Sequence, residues 1–172
     1  MRALVTGGVG FVGTNLIKRL LREGYEVVSF DNYSTGYKEN EQKGCIYIDI
    51  DIRESFTDWV EKFDVIFHMA ALARIQPSIS NPSKTINNNF DGTLNVLEYA
   101  RKNNTPVIYA GSSSKHHGLY GSPYAWSKYG GEELCKLYSE VYGLNTTICR
   151  FYNVYGSNHI RTGTYATVIG IF

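Results

Sequence analysis

The chain has 172 residues, 43% of them hydrophobic and 19% charged, which suits one domain with a single core and argues against disorder. Its 17 Lys+Arg against 16 Asp+Glu leave a formal charge of +1, so there is no general basic footprint for nucleic acid. No apolar run approaches the ~20 residues of a membrane-spanning helix.

In chain order, Arg2–Thr6 is a short apolar run that reads as a strand ending at Gly7-Gly8. Phe11–Arg22 has helical spacing, with Phe11, Val12, Leu16, Ile17, Leu20 and Leu21 on one broad face and Gly24 as the stop. Residues 25–30 read as a second strand, 45–50 as a third, 58–62 as a short helix and 64–69 as a fourth strand. Pro82 opens a long helical stretch closed by Asn103-Asn104. A fifth strand follows at 106–110, a helix at 124–142 and a sixth strand at 145–151. Alternating strands and helices predict an α/β fold: a doubly wound, Rossmann-like parallel sheet of six or more strands, helices on both faces, order 3-2-1-4-5-6. Cys45, Cys135 and Cys149 are far apart and form neither a disulfide framework nor a metal knuckle. Reduced thiols in a cytoplasm are expected, and glycine comes too early for a signal peptide.

Gly7-Gly8-Val9-Gly10-Phe11-Val12-Gly13 joins the first strand to the first helix with GxxGxxG spacing. Gly7 permits the tight turn, Gly10 lets a pyrophosphate approach the backbone, and Gly13 lets the helix pack close to the sheet. The helix N-terminus presents free N–H groups to the anion. Glycines also end strands for steric reasons alone, so the acid that follows matters. Asp31 falls at the end of the second strand, 18 residues after Gly13, where a carboxylate takes both adenosine ribose hydroxyls and repels a 2′-phosphate. NAD is therefore expected rather than NADP. Asp51-Ile52, after the third strand, reads equally as an adenine contact or as a solvated strand end.

Tyr124 and Lys128 stand in YxxxK spacing on the fifth-strand-to-sixth-strand helix, which puts them on one face. An ammonium near a phenol favours the phenolate, a general base that can work near neutral pH. Ser112-Ser113-Ser114 lies at the end of the fifth strand, where this architecture places its chemistry; one serine can bond a substrate oxygen, and at least two must be a polar turn. A hydrolase pairing Ser113 with His116 or His117 lacks a nucleophile elbow, and the two histidines lack partners at metal-ligand spacing, so no metal is expected.

Taken together, these motifs resemble the extended short-chain dehydrogenase/reductase family in its NAD-dependent epimerase/dehydratase branch. Residues 6–13 are similar to TGGAGFIG, 30–36 to DNxSTG, 51–53 to DIR and 68–71 to HxAA. Residues 89–95 are similar to NxxGTxN, 122–128 to SPYxxSK and 150–156 to RxxNVYG. The resemblance implies that Gly7, Gly10, Phe11 and Val12 meet the pyrophosphate of NAD, and that Asp31 and Asn32 hold the adenosine ribose. It has Asp51 and Ile52 flanking adenine. Met69, Ala70, Ala71 and Ala73 would line the cofactor, with Asn89 and Tyr152 touching it. Tyr124 would be the catalytic base, Lys128 would tune it and hold the nicotinamide ribose, and Asn153 would reach the substrate diphosphate. The implied activity is 4-epimerisation of a nucleotide-sugar, above all a UDP-sugar such as UDP-glucose/UDP-galactose or an N-acetyl derivative, by transient oxidation at C4. The implied assembly is a homodimer acting on small molecules, away from membranes.

Two departures from the family pattern stand out. Where the family has Tyr-Gly after its serines, this chain has Lys115-His116-His117-Gly118; aligning on Gly118 makes Ser113 the catalytic, substrate-binding serine, while aligning from the strand leaves all three serines open, and Ser113 is preferred. The stretch 114–123 is also short, which trims a loop over the sugar. Dehydratases and decarboxylases of this branch place an acid beside the serine position, and Lys115 offers none, so 4-epimerisation is preferred; a deoxysugar reductase and a cofactor-binding module without efficient turnover are the alternatives. Residues 1–156 are expected to form the NAD-binding domain and 157–172 to begin a substrate lobe largely absent from this chain. The apolar Val168, Ile169, Ile171 and Phe172 would be covered by that lobe, and would promote self-association without it.

Overall fold

Alternation of small and bulky apolar residues along Arg2–Thr6 (β1) gives a strand buried on both sides. Ala3 and Val5 face one way, Leu4 the other, and all three are fully buried. Glu26–Asp31 (β2), Cys45–Asp49 (β3), Val65–His68 (β4), Val107–Ser112 (β5) and Thr146–Phe151 (β6) pair with it in one parallel sheet, in a computed structural model that describes residues 1–159. The strand order is β3-β2-β1-β4-β5-β6, as the sequence predicts. The expected apolar cluster at 168–172 lies outside the described residues, as does all but 157–159 of the expected second lobe.

Helices cover both faces. Phe11–Arg22 (α1) packs Ile17 and Leu20 on Ala3, Val5 and Val27. On the other face, Gly92–Asn103 (α4) and Pro123–Tyr142 (α5) bring Val96, Leu97, Ala100, Cys135 and Tyr138 onto Leu4, Val28, Ile66 and Tyr109. Burying each large apolar side chain is worth about 1.5–3 kcal/mol. Because the crossovers turn in opposite senses from β1 and β4, a crevice opens at their C-terminal ends. Among the described residues no helix is long and apolar enough to cross a membrane.

Two local expectations need correction, and one further helix lies where the sequence predicts none. Residues 58–62 are not helical: a turn at 57–58 drops Phe56 and Trp59 onto Phe30, with ring centroids 5.5 and 5.0 Å away, and this packing replaces a helix too short to nucleate. The second strand begins one residue later than expected and includes Asp31. Finally, Ile75–Ser80 (α2) is helical despite Pro77, because a proline in the first turn removes only an N–H that has no helical partner. The long stretch after Pro82 is divided into Pro82–Ile86 (α3), a π-turn at Asn87–Asp91, and α4; Asn104, at φ 51°, closes it in the left-handed conformation. Asn81 caps α3 by accepting from the Lys84 N–H at 3.1 Å, with Pro82 at the first helical position.

His68, at the end of β4, is buried between two threonines, with Nδ1 2.7 Å from Thr6 Oγ1 and Nε2 3.0 Å from Thr93 Oγ1. Thr93 spends its hydroxyl proton on the Asn89 carbonyl at 2.6 Å, so Nε2–H donates to Thr93 and the Thr6 hydroxyl donates to Nδ1. Thr6 Oγ1 in turn accepts from the Ala70 N–H at 3.2 Å. Burial, aided by the Lys128 charge, pulls the His68 pKa from 6.5 down to about 3. The imidazole is thus a neutral brace between β1, β4 and α4. The unfolded chain protonates this group near 6.5 and the folded chain does not, so its contribution is intact above that pH. Below it, stability falls by about 1.4 kcal/mol per pH unit until about pH 3. In thermal melts from about pH 7 to about pH 5, the advantage of the wild type over His68→Gln should shrink; parallel curves would refute the assignment.

Candidate active site

The crevice is a cleft of about 840 Å³ running from the β2 end of the sheet to α5. Its floor is the glycine loop. Gly7 has φ +74° and a Cβ there would sit 2.7 Å from the Ala70 Cα; at Gly13 a Cβ would meet the Gly7 carbonyl oxygen at 2.1 Å. No L side chain fits either position. Gly10 takes the N-cap of α1 without a side-chain bond, so the first N–H groups of the helix face the cleft, and Phe11 and Val12 line it there. Gly7, Gly10, Phe11, Val12 and Gly13, the residues expected to meet a diphosphate, all line the cleft here.

At one end Asp31 is 9% exposed. Its Oδ2 accepts from the Val9 N–H at 3.0 Å and its Oδ1 from the Tyr33 N–H at 2.8 Å. Asp31 lines the cleft, and a carboxylate oxygen that accepts one N–H bond can accept another. Burial raises its pKa, the two N–H bonds oppose the rise, and the Asp49 charge adds to it. Asn32 lines the cleft beside it and donates to Asp51 Oδ2 at 3.0 Å. Asp51 itself lies behind the wall: Arg53 binds it and holds its carboxyl well below the usual range, while Ile50 and Ile52 form the surface. Of the Asp51-Ile52 pair, Ile52 lines the cleft and Asp51 does not. Ser34, Thr35 and Gly36 also line this end, residues the site expectation left out although they belong to the DNxSTG-like run.

Met69, Ala70, Ala71 and Ala73 form the wall after β4. Asn89, expected to touch the cofactor, does not line the cleft. It is 1% exposed: its Oδ1 accepts from the Leu72 N–H at 2.8 Å, and its Nδ2 donates to the Leu72 carbonyl at 3.2 Å and to Ser127 Oγ at 3.0 Å. Asn89 therefore fixes the wall to α5, and its neighbour Asn88 reaches the surface.

The other end is built by α5. Ser122 caps it, accepting from the Ala125 N–H at 3.1 Å, and Pro123 opens its first turn, which fixes Tyr124 at the rim. Lys128, one turn on, is 4% exposed, with Nζ 4.3 Å above the Tyr109 ring. Desolvation pulls its pKa down to about 8, opposed by the Cys135 and Glu132 charges. The Tyr124 hydroxyl donates to Ser112 Oγ at 3.4 Å. The serine facing Tyr124 is thus Ser112, not the expected Ser113. Ser112 is the last residue of β5, whereas Ser113 has already left the strand, so the alignment on Gly118 falls one residue late. Ser113 starts a 3₁₀ turn and does not line the cleft, and Ser114 bonds Ser112 Oγ at 2.9 Å. Tyr152, Asn153 and Arg74 complete this end. Residues 156–159 cross the start of α1, where Asn15 Nδ2 donates to the Ser157 carbonyl at 2.8 Å and His159 stacks on Phe11 at 3.9 Å.

Residues 3–171 match the model of the NAD dependent epimerase/dehydratase family. A UDP-N-acetyl-alpha-D-glucosaminuronate decarboxylase of Bacillus cytotoxicus is 35% identical over 99% of this chain and 60% of its own length. The UDP-glucose 4-epimerase of Thermotoga maritima, solved with UDP-glucose, superposes with a TM-score of 0.90 at 28% identity, over 99% of this chain and 61% of that one. The UDP-glucose 4-epimerase of Thermus thermophilus, solved with NAD, gives 0.85 at 31% identity over 96% and 59%. The chain spans about 60% of the length of these relatives.

The Asp31 geometry has a direct test. Calorimetric titration should show NAD binding more tightly than NADP by roughly tenfold or more, as repulsion of a 2′-phosphate by a partly dry carboxylate requires. Asp31→Asn should weaken NAD and narrow the gap. Equal affinities in the wild type would remove the role given to Asp31.

Proposed function

The chain belongs to the NAD-dependent epimerase/dehydratase family, and we propose that it carries the cofactor-binding and proton-transfer part of a nucleotide-sugar 4-epimerase acting on UDP-hexoses: UDP-glucose/UDP-galactose or their N-acetyl derivatives. The observation that carries this reading is the Tyr124–Ser112 pair, 3.4 Å apart at the rim of the cleft, with Lys128 buried one turn along the same helix.

NAD, held by the glycine loop, Asp31 and Lys128, supplies a hydride acceptor that is regenerated within each cycle. The work of the chain is to handle the proton. Tyr124 takes it from the sugar 4-hydroxyl and returns it. Ser112 bonds the same oxygen and holds the sugar across from the tyrosine. Lys128 contributes positive charge that favours the phenolate. Asn153 and Tyr152 line the cleft; the roles proposed for them are contacts to the substrate diphosphate and to the nicotinamide. We take the whole protein to be a homodimer on the family resemblance.

Epimerisation is favoured over decarboxylation and dehydration by the acids of the cleft. Asp31 is the only acidic residue lining it among the described residues, and it stands at the adenosine end. Glu132, close to Ser112, is fully buried behind the wall. Among the described residues, no second acid faces Tyr124 from the cleft wall.

In the whole protein, Tyr124→Phe should keep NAD and lose UDP-glucose/UDP-galactose interconversion by about 10²–10⁴-fold or more. Ser112→Ala should cost about 10–100-fold, and Ser113→Ala less than about threefold. Near-normal turnover by Tyr124→Phe would overturn the reaction. A reversed order of the two serines would return the role to Ser113.

A further inference from the structure

Behind the Tyr124–Ser112 pair lies a charged group that neither cofactor binding nor proton transfer uses. Glu132 is on α5, two turns past Tyr124 and one past Lys128, and it is 0% exposed. Arg150 of β6 meets it with a fork: Nε lies 3.1 and 3.0 Å from the two carboxylate oxygens, and a terminal nitrogen 2.9 Å from Oε2. Lys115, from the 3₁₀ turn after β5, reaches Oε2 at 3.3 Å. Oε1 accepts from the Ser112 N–H at 3.4 Å. Room for the carboxylate comes from Gly111, where a Cβ would lie 2.7 Å from Oε1. Gly111 is directly opposite Arg150 in the sheet register. Three elements therefore converge on one carboxylate immediately behind the serine.

A buried ion pair is weak evidence for stability, since apolar replacements often serve as well or better. It does impose geometry, because a bidentate fork has one good arrangement. We propose that Glu132 is a positioning residue: anchored by Arg150 and Lys115, its carboxylate holds the backbone of Ser112 so that the serine hydroxyl faces Tyr124. The inference rests on the reading of Ser112 and Tyr124 as the reacting pair. It also gives a role to Lys115, the residue at which the chain departs from the family pattern. The lysine pins the turn that follows Ser112 to the same anchor.

The test has one arm that needs no turnover. In the NAD-loaded chain, amide hydrogen exchange at Ser112 should be about tenfold faster in Glu132→Gln than in the wild type, since the acceptor loses its charge and its fork. Unchanged exchange overturns the proposal. In the second arm, Glu132→Gln should lower kcat for UDP-hexose interconversion by about tenfold while the KM for the UDP-hexose and the Kd for NAD stay within about twofold. In a Ser112→Ala background the same substitution should cost less than about twofold, because groups acting through one another are not additive. An equal loss with and without Ser112 would mean a general structural role and would overturn the proposal. Should Glu132→Gln fail to fold, Arg150→Lys keeps a cation on the carboxylate but removes the fork; it should give a smaller loss that also vanishes without Ser112. Retained turnover in Tyr124→Phe would instead refute the reaction, leaving the exchange arm to decide on Glu132.

Discussion

Tyr109 stands on end beneath α5, its hydroxyl donating to the Lys128 carbonyl at 3.2 Å, and the helix comes that close only because residue 131 has no side chain. A Cβ on Gly131 would lie 2.2 Å from the tyrosine oxygen, and one on Gly130 would lie 2.9 Å from the Phe90 ring. Two glycines inside a helix cost about 1 kcal/mol each in propensity. Gly130 permits contact with the turn at Asn87–Asp91 and Gly131 with β5, and the side chains at this end of the cleft depend on the second of these. The contact lowers Lys128 onto the Tyr109 ring, sets Tyr124 opposite the last residue of β5, and slides Glu132 behind it.

The charges that result are unevenly placed. The adenosine end carries Asp31, while the α5 end carries Lys128 and Arg74 on the cleft surface and Arg150 and Lys115 behind it, with Glu132 among them. His68 adds nothing to this balance because burial keeps it neutral. A surplus of positive charge around a desolvated ammonium is an environment that favours anions, whether a phenolate or a substrate diphosphate. The buried carboxylate moderates the surplus and at the same time orders the strand end.

Much of this was legible in the sequence because it rests on backbone rules. The glycine loop, the acid after β2, the Ser-Pro start of α5 and the alternation of strands and helices each follow from φ, capping or periodicity. The failures lie where tertiary contacts decide. Residues 58–62 have helical spacing, but Phe30 draws their aromatic residues into a turn. Three consecutive serines contain no information on which one will face Tyr124; the point at which β5 ends settles that, and it selects Ser112. Asn89 sits inside a recognisable motif, yet its amide is consumed by Leu72 and Ser127, a pairing across 17 and 38 residues that no local pattern announces. Glu132 was equally invisible, a carboxylate on a helix whose partners come from three other elements.

These hidden residues form one line through the domain. Thr6, at the edge of the glycine loop, bonds His68; His68 bonds Thr93; Thr93 bonds the Asn89 carbonyl; and the Asn89 side chain bonds Ser127, whose hydroxyl donates to the Tyr124 carbonyl at 2.9 Å. Each link is a short, buried, satisfied hydrogen bond, and a buried polar group that loses its partner costs more than the bond was worth. The glycine loop and the base are therefore held by the same network, although they lie at opposite ends of the chain order and different elements supply them. The Leu72 loop, bound to Asn89 through both its N–H and its carbonyl, hangs from the middle of that line. The distance between the pyrophosphate cradle and Tyr124 is thereby set by side chains that touch neither ligand. His68, Asn89 and Ser127 consequently read as spacers of the site, while their motif neighbours Met69, Ala70, Tyr124 and Lys128 line it.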